Sequence, residues 1–156
     1  MTDEESLPRI RGIRRVLERT SIGPPYDLHG DRFEAHEIFF YERFTALGNV
    51  VEYIPRDVVS RMPTNDFRWK NHANQAIELK TCRATKYTSI QKRINETVEK
   101  AERRQVVKAN FIIDLQDHAL MPQLRAQLES YNLRNDRRVR RMWVMTRGRL
   151  VSIALR

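Results

Sequence analysis

Apolar residues recur along this chain at two spacings, and these spacings predict where helices and strands alternate. Three segments place apolar residues three or four positions apart, as one buried face of an α-helix requires. The predicted helices cover residues 32–47, 88–104 and 120–131. At about 100° per residue, Phe33, Phe40, Phe44 and Leu47 fall within one narrow stripe of the first helix. Each helix is therefore expected to bury one side.

Between the helices, other segments have the β-branched content or the alternation of strands. A strand over residues 49–54 ends at a proline, and a short strand follows at residues 67–69. Further strands are predicted at residues 76–82, 109–115, 140–146 and 150–155. The segment 109–115 is almost continuously apolar, as in a central strand covered on both faces. The order of elements predicts an α/β domain with a central mixed sheet flanked by helices.

Composition favours a polyanionic partner. The chain has 156 residues, with 29 Lys and Arg against 20 Asp and Glu, a net charge of +9 and a pI near 10.2. A basic surface attracts phosphates because their counterions are released on binding, although proteins without such a partner share this composition. No apolar run approaches the roughly 20 residues that span a bilayer. The sequence also begins without the apolar segment of a signal peptide.

Residues 1–30 differ from the rest and predict a basic N-terminal extension before a domain at 31–156. Their arginines crowd one short predicted helix, which either clamps nucleic acid or packs its apolar side on the domain. Cys82 is the single cysteine, so no disulfide can form within one chain. A lone thiol suits a reducing compartment, which indicates the cytoplasm or delivery into a target cell's cytoplasm.

Asp66, Glu78 and Lys80 are the residues most indicative of chemistry. In a strand, Glu78 and Lys80 project from the same face about 7 Å apart. Two carboxylates can hold Mg²⁺ through oxygen ligands, and an adjacent ammonium can orient a water and offset charge on an attacked phosphate. The competing interpretation is an ordinary surface Glu/Lys pair beside a turn Asp. The position of this strand between apolar segments favours the catalytic interpretation.

Glu37 is a third candidate carboxylate, because it lies inside the apolar stripe of the first predicted helix. An unpaired buried carboxylate is costly, so a cation, a metal or hydrogen-bond donors must be its partner. Pairing with an arginine at the edge of the helix is the alternative. Glu34, about 60° away around the helix, is the second choice for the same role.

An Asp, a gap and then Glu-x-Lys resemble the core motif of the PD-(D/E)xK nuclease superfamily. A broader resemblance spans residues 32–156, through Ala46-Leu47-Gly48, Ile54-Pro55, the two motif strands, Gln105 and the apolar segment 111–115. This order looks like the C-terminal toxin domains of contact-dependent growth inhibition proteins, in particular the tRNA-cleaving branch. The proline that often precedes the Asp is replaced by Asn65.

The resemblance implies a restriction-endonuclease-like core with a Mg²⁺ or other divalent cation held by Asp66, Glu78 and Glu37. Lys80 would then position the nucleophile or stabilise the transition state. The resemblance also implies cleavage of nucleic acid, with tRNA favoured over DNA, and a cognate immunity protein as a partner. Gln105 matches a recurring residue of these toxins, and it is equally compatible with a polar helix end.

The remaining candidates are substrate contacts with a plainer alternative for each. Trp69 could stack on an unpaired base or pack in the core, and His72 lies in the turn after it. Arg137 and Arg138 belong to the densest basic run, which suits a phosphate backbone or a solvated loop. Two other function classes stay open: a nucleic-acid-binding module without catalysis, and an assembly protein that docks through its basic N-terminal helix.

Overall fold

The computed structural model describes residues 33–57, 59–136 and 138–156. They divide into two compact units, the first ending at Ala76 and the second running from Ile77 to Arg156. The predicted extension over residues 1–30 lies outside the described residues and stays a prediction.

The first unit contains helix α1 (Ala35–Ala46) and strands β1 (Val51–Tyr53) and β2 (Phe67–Trp69). Helix α1 begins with a capping box at Glu34, in which the side chain of Glu37 accepts the backbone N–H of Glu34 at 3.2 Å. The chain leaves the helix through Gly48, whose φ of 93° favours a residue without a Cβ. Both ends of the helix therefore follow from local sequence.

Strands β1 and β2 pair antiparallel, with Val51 opposite Trp69 and Tyr53 opposite Phe67. The core of this unit is aromatic: the rings of Phe40, Tyr41 and Phe44 lie 5.6 to 6.0 Å from the ring of Phe67. The Tyr41–Phe67 pair is edge-to-face, with ring planes 76° apart, and adds attraction to the area that the rings bury. Phe67 and Trp69 share the buried face of their strand, as predicted.

The expectation that Leu47 belongs to the buried stripe is wrong. Leu47 is 48% exposed. The prediction required a helix that continues through Leu47, whereas α1 ends at Ala46 and Leu47 is its C-cap residue. Outside the helix, the spacing of 100° per residue no longer determines where a side chain points.

The second unit is built on four strands, of which β3 begins two residues before the boundary. In chain order its elements are β3 (Gln75–Thr81), α2 (Tyr87–Arg103), β4 (Asn110–Asp114), α3 (Pro122–Glu129), α4 (Tyr131–Arg134), β5 (Arg141–Thr146) and β6 (Arg149–Ile153). Strands β3, β4 and β5 are parallel, and β6 is antiparallel to β5. The predicted α/β fold with a mixed sheet flanked by helices is confirmed.

Helix α2 covers one face of this sheet through Ile90, Ile94 and Val98. These side chains belong to a core with Phe111 and Ile113 of β4, and with residues from β5, β6, α3 and α4. The spacing of three and four residues along α2 therefore has the packing role that the sequence predicts.

The predicted strands 140–146 and 150–155 form a hairpin, β5 and β6, which turns at Arg147 and Gly148. Both residues have positive φ, 48° and 75°, as the tight two-residue turns of twisted hairpins require. The predicted helix over residues 120–131 is instead divided into α3 and α4, which meet at Ser130. None of the helices within the described residues combines the length and apolar character needed to cross a bilayer.

Candidate functional site around Glu78

Glu78 and Lys80 lie on the same face of β3, as the period of two predicts. In the parallel pairing, Glu78 is opposite Phe111 and Lys80 is opposite Ile113. Their side chains are 7% and 18% exposed, and the Lys80 Nζ lies 3.3 Å from the Glu78 Oε1. A charged pair this deep in a strand is unlike a solvated surface pair, because most of its water has been removed.

A second ammonium occupies the other oxygen of the same carboxylate. The Lys108 Nζ donates to the Glu78 Oε2 at 2.9 Å, and the Lys108 side chain is 10% exposed. Lys108 lies between α2 and β4, three residues before Phe111. The sequence analysis missed this residue, since neither a motif nor a period marks it. The available clue was a lysine just before the apolar segment 109–115, which the sequence predicts as a central strand.

Glu78, Lys80 and Lys108, here called the charged triad, carry one negative and two positive charges. In the described part of residues 77–156, Glu78 is the carboxylate within ion-pair distance of each ammonium, and no second carboxylate lies that close to either. The triad alone therefore suits an anion better than a cation, because a divalent ion would add two positive charges beside two ammoniums. Glu78 fits a metal as an oxygen ligand only where further carboxylates join it.

Two exposed arginines, Arg140 and Arg141, lie close in the fold to the residue that follows Lys108. The backbone N–H groups of Arg140 and Arg141 both donate to the Ala109 carbonyl, at 2.7 and 3.2 Å. Arg141 opens β5 opposite Asn110, and both arginine side chains are exposed. The amino-terminal ends of β4 and β5 therefore bring Lys108, Arg140 and Arg141 into one basic edge.

The other predicted carboxylates belong to the first unit. Asp66 is half-buried, and its carbonyl accepts the Ile54 N–H at 3.1 Å just before β2. Glu37 is half-buried near the start of α1, where burial raises its pKa, opposed by its bond to the backbone N–H of Glu34 and by the charges of His36 and Arg56. This N–H is one of the partners that the sequence analysis expected for Glu37.

Glu34, His36 and Glu37 form an acidic and histidine cluster. Their potential ligand atoms lie within 4.8 Å of one another, and the His36 Nδ1 is 3.3 Å from the Glu34 Oε2. The capping box already accounts for the positions of Glu34 and Glu37 at the first turn. This cluster is therefore first of all a helix start, and the predicted metal roles of its glutamates stay predictions.

The predicted substrate contacts differ in accessibility. Trp69 is buried, its Nε1 donates to the Asn49 Oδ1 at 3.0 Å, and its ring centroid lies 4.3 Å from that of His72. Gln105 is exposed with a φ of 59°, and its backbone N–H donates to the Glu102 carbonyl. Arg138 is exposed, whereas Arg137 lies outside the described residues. Their contacts with a substrate stay predictions.

Comparison of this chain with protein-family models, with curated proteins and with solved structures finds no match. Its interpretation therefore depends on the motif residues and on the geometry around Glu78. The resemblance to the PD-(D/E)xK nucleases stays a prediction.

Proposed function

We propose that this chain is a metal-dependent endonuclease with a restriction-endonuclease-like core, which hydrolyses phosphodiester bonds of nucleic acid. The observation that carries the proposal is the buried Glu78 carboxylate on a parallel strand, with the Lys80 ammonium 3.3 Å away on the same face. Buried charged pairs are costly to maintain for stability alone. Their concentration in active sites, where charge must be stabilised, supports a catalytic role.

In this proposal Asp66 and Glu78 bind the metal, and Glu37 supports it directly or through water. A divalent cation such as Mg²⁺ would activate the attacking water and neutralise charge on the phosphate. The metal-binding roles of Asp66, Glu78 and Glu37 come from the sequence motif and the resemblance, and the second unit adds that Glu78 is buried and paired with Lys80. The Lys80 ammonium, oriented by Glu78, offsets the charge that develops on the attacked phosphate.

The substrate proposed is RNA, with tRNA favoured, and DNA is the alternative within the same chemistry. The basic edge at Lys108, Arg140 and Arg141 supports a polyanion of either kind. The tRNA preference, the delivery into a target cell's cytoplasm and an immunity protein that blocks the site come from the toxin resemblance.

The test is cleavage of total tRNA and of plasmid DNA by purified protein with Mg²⁺. Glu78→Gln, Lys80→Met and Asp66→Asn should each reduce the rate about 100-fold or more, since each removes a ligand or a transition-state charge. Glu96→Gln is the matched control, because Glu96 is a solvated glutamate on α2. Native circular dichroism must accompany the losses, and full activity in all three variants would reject the proposal. Cleavage of DNA alone would reject the RNA preference.

A second candidate is a nucleic-acid-binding module without catalysis, which the surplus positive charge of the triad favours. Such a module would bind nucleic acid equally well with a chelator and would leave its length unchanged. The endonuclease proposal requires shortened products that disappear when EDTA is added. Gel analysis of substrate length with and without chelator separates the two.

A further inference from the structure

Lys108 has no part in the motif chemistry, yet it makes the shorter of the two ion pairs to Glu78. We propose that Lys108 contacts the substrate: its ammonium leaves Glu78 and pairs with a phosphate oxygen when nucleic acid binds. Glu78 would thus hold Lys108 ready in the free protein. The inference rests on the proposed function only for its class of ligand, a nucleic-acid phosphodiester.

Charge supports this role of Lys108. Within the described part of residues 77–156, Glu78 is the carboxylate paired with both lysines, so the triad itself keeps one positive charge at side chains that are 18% exposed or less. Burying an uncompensated ammonium is unfavourable, and an external anion at this position removes the cost. A phosphodiester supplies one negative charge, which is the amount required for balance.

The place of Lys108 in the fold also suits a change of partner. It lies in the connection from Arg104 to Ala109, outside any helix or strand, and the preceding Val107 is 78% exposed. A lysine has a long, flexible side chain and a point charge that needs no fixed angle. Lys108 can therefore change partner by rotating its side chain. Lys80 lies inside β3, where the strand directs its side chain to the same face as Glu78.

The positive charges near Lys108 also suit a nucleic-acid backbone. Arg140 and Arg141 are exposed beside Ala109, to whose carbonyl both donate, and Ala109 follows Lys108 directly. Three cations at neighbouring positions match the repeating charge of a nucleic-acid backbone, which binds by releasing its counterions. Of these three residues, Lys108 is the one that pairs with Glu78. Binding of the nucleic-acid backbone to Lys108 is therefore coupled to the proposed site.

The test measures binding of a short fluorescent single-stranded RNA by anisotropy in EDTA, with a DNA of the same sequence in parallel. Lys108→Gln should weaken binding about tenfold, as expected for one charge-assisted contact. The slope of log affinity against log salt should fall by about 0.7. Lys100→Gln, which removes the same charge from an exposed position on α2, should change affinity less than twofold. Equal losses in the two variants would show a general charge effect and overturn the inference.

A double-mutant cycle tests the exchange itself. Glu78→Gln should tighten RNA binding because it releases both lysines, and this gain should be at least about threefold smaller when Lys108 is already glutamine. Additive effects would overturn the proposed exchange.

Lys108→Arg, which keeps the charge, should retain affinity within about threefold, and thermal unfolding of every variant excludes misfolding. Binding is measured in EDTA and so needs neither metal nor cleavage. If Glu78 and Lys108 are coupled in binding but the protein cleaves nothing with Mg²⁺, the nuclease proposal is rejected and this inference still holds.

Discussion

The two units of this protein bury different side chains. In the first, one helix and two three-residue strands enclose Phe40, Tyr41, Phe44, Phe67 and Trp69. In the second, longer parallel strands and α2 enclose mainly isoleucine, valine and leucine. Each aromatic ring buries about 150–250 Å², so a small unit can build a core from few of them. Parallel strands covered by helices favour β-branched residues instead.

The two parts of the chain also differ in charge. Residues 1–76 contain eleven basic and twelve acidic side chains, whereas residues 77–156 contain eighteen basic and eight acidic ones. The whole positive excess therefore belongs to the second part, which also contains Glu78 and its two lysines. Attraction of phosphate is expected mainly from the second unit, and the proposed extra carboxylates come from the first.

The largest expected effect tests the difference between the two cores. Phe67→Ala should lower the free energy of unfolding by about 3–5 kcal/mol, and Ile113→Ala by about 2–5 kcal/mol, because both leave cavities among fully buried side chains. Urea denaturation followed by circular dichroism measures both. Arg68→Ala, an exposed neighbour in β2, should cost less than about 0.5 kcal/mol. A loss below about 1 kcal/mol for Phe67→Ala would contradict the tight aromatic core.

An intermediate effect tests the charge difference. Arg141→Gln in β5 should weaken single-stranded RNA binding about fivefold, whereas Arg68→Gln in β2 should stay within about twofold. Both side chains are exposed on strands, so the pair is matched in size, charge and setting. Anisotropy at several salt concentrations measures both. Similar losses would mean that the partner's phosphates do not prefer the second unit.

The smallest expected effect concerns Glu37 and pH. Burial raises the pKa of Glu37 above its ordinary value of 4.5, so folding favours the neutral acid and the ionised form lowers stability. Glu37→Gln keeps an acceptor for the Glu34 N–H without the charge. The variant should therefore be slightly more stable at pH 7, and its advantage should shrink as pH falls through the raised pKa.

Below pH 4.5 the advantage should be absent, because wild-type Glu37 is then neutral in both the folded and the unfolded state. Thermal unfolding across this pH range measures the difference, and Glu96→Gln serves as the exposed control. An advantage that does not change with pH would mean that the charge of Glu37 is not the cause.

The sequence predicted the shared face of Glu78 and Lys80 because side chains in a strand alternate with a period of two. It missed Lys108, which is 30 residues from Glu78 in the chain and 2.9 Å from it in space. Their contact depends on the parallel register of β3 and β4, and no local pattern contains that register. The partner of Glu37 is local by contrast, because it is the backbone N–H of Glu34, the cap residue of the same helix.

Apart from the division of the helix predicted over residues 120–131, the sequence by itself determined the order of helices and strands, the α/β class and the excess of basic residues beyond position 76, because periodicity and composition are local properties. Only the tertiary structure decided that Glu78 is buried between two ammoniums, and that Arg140 and Arg141 share one edge with Lys108. The physical reason is that burial and charge balance depend on residues brought together by strand pairing and helix packing, at separations that no sequence period records.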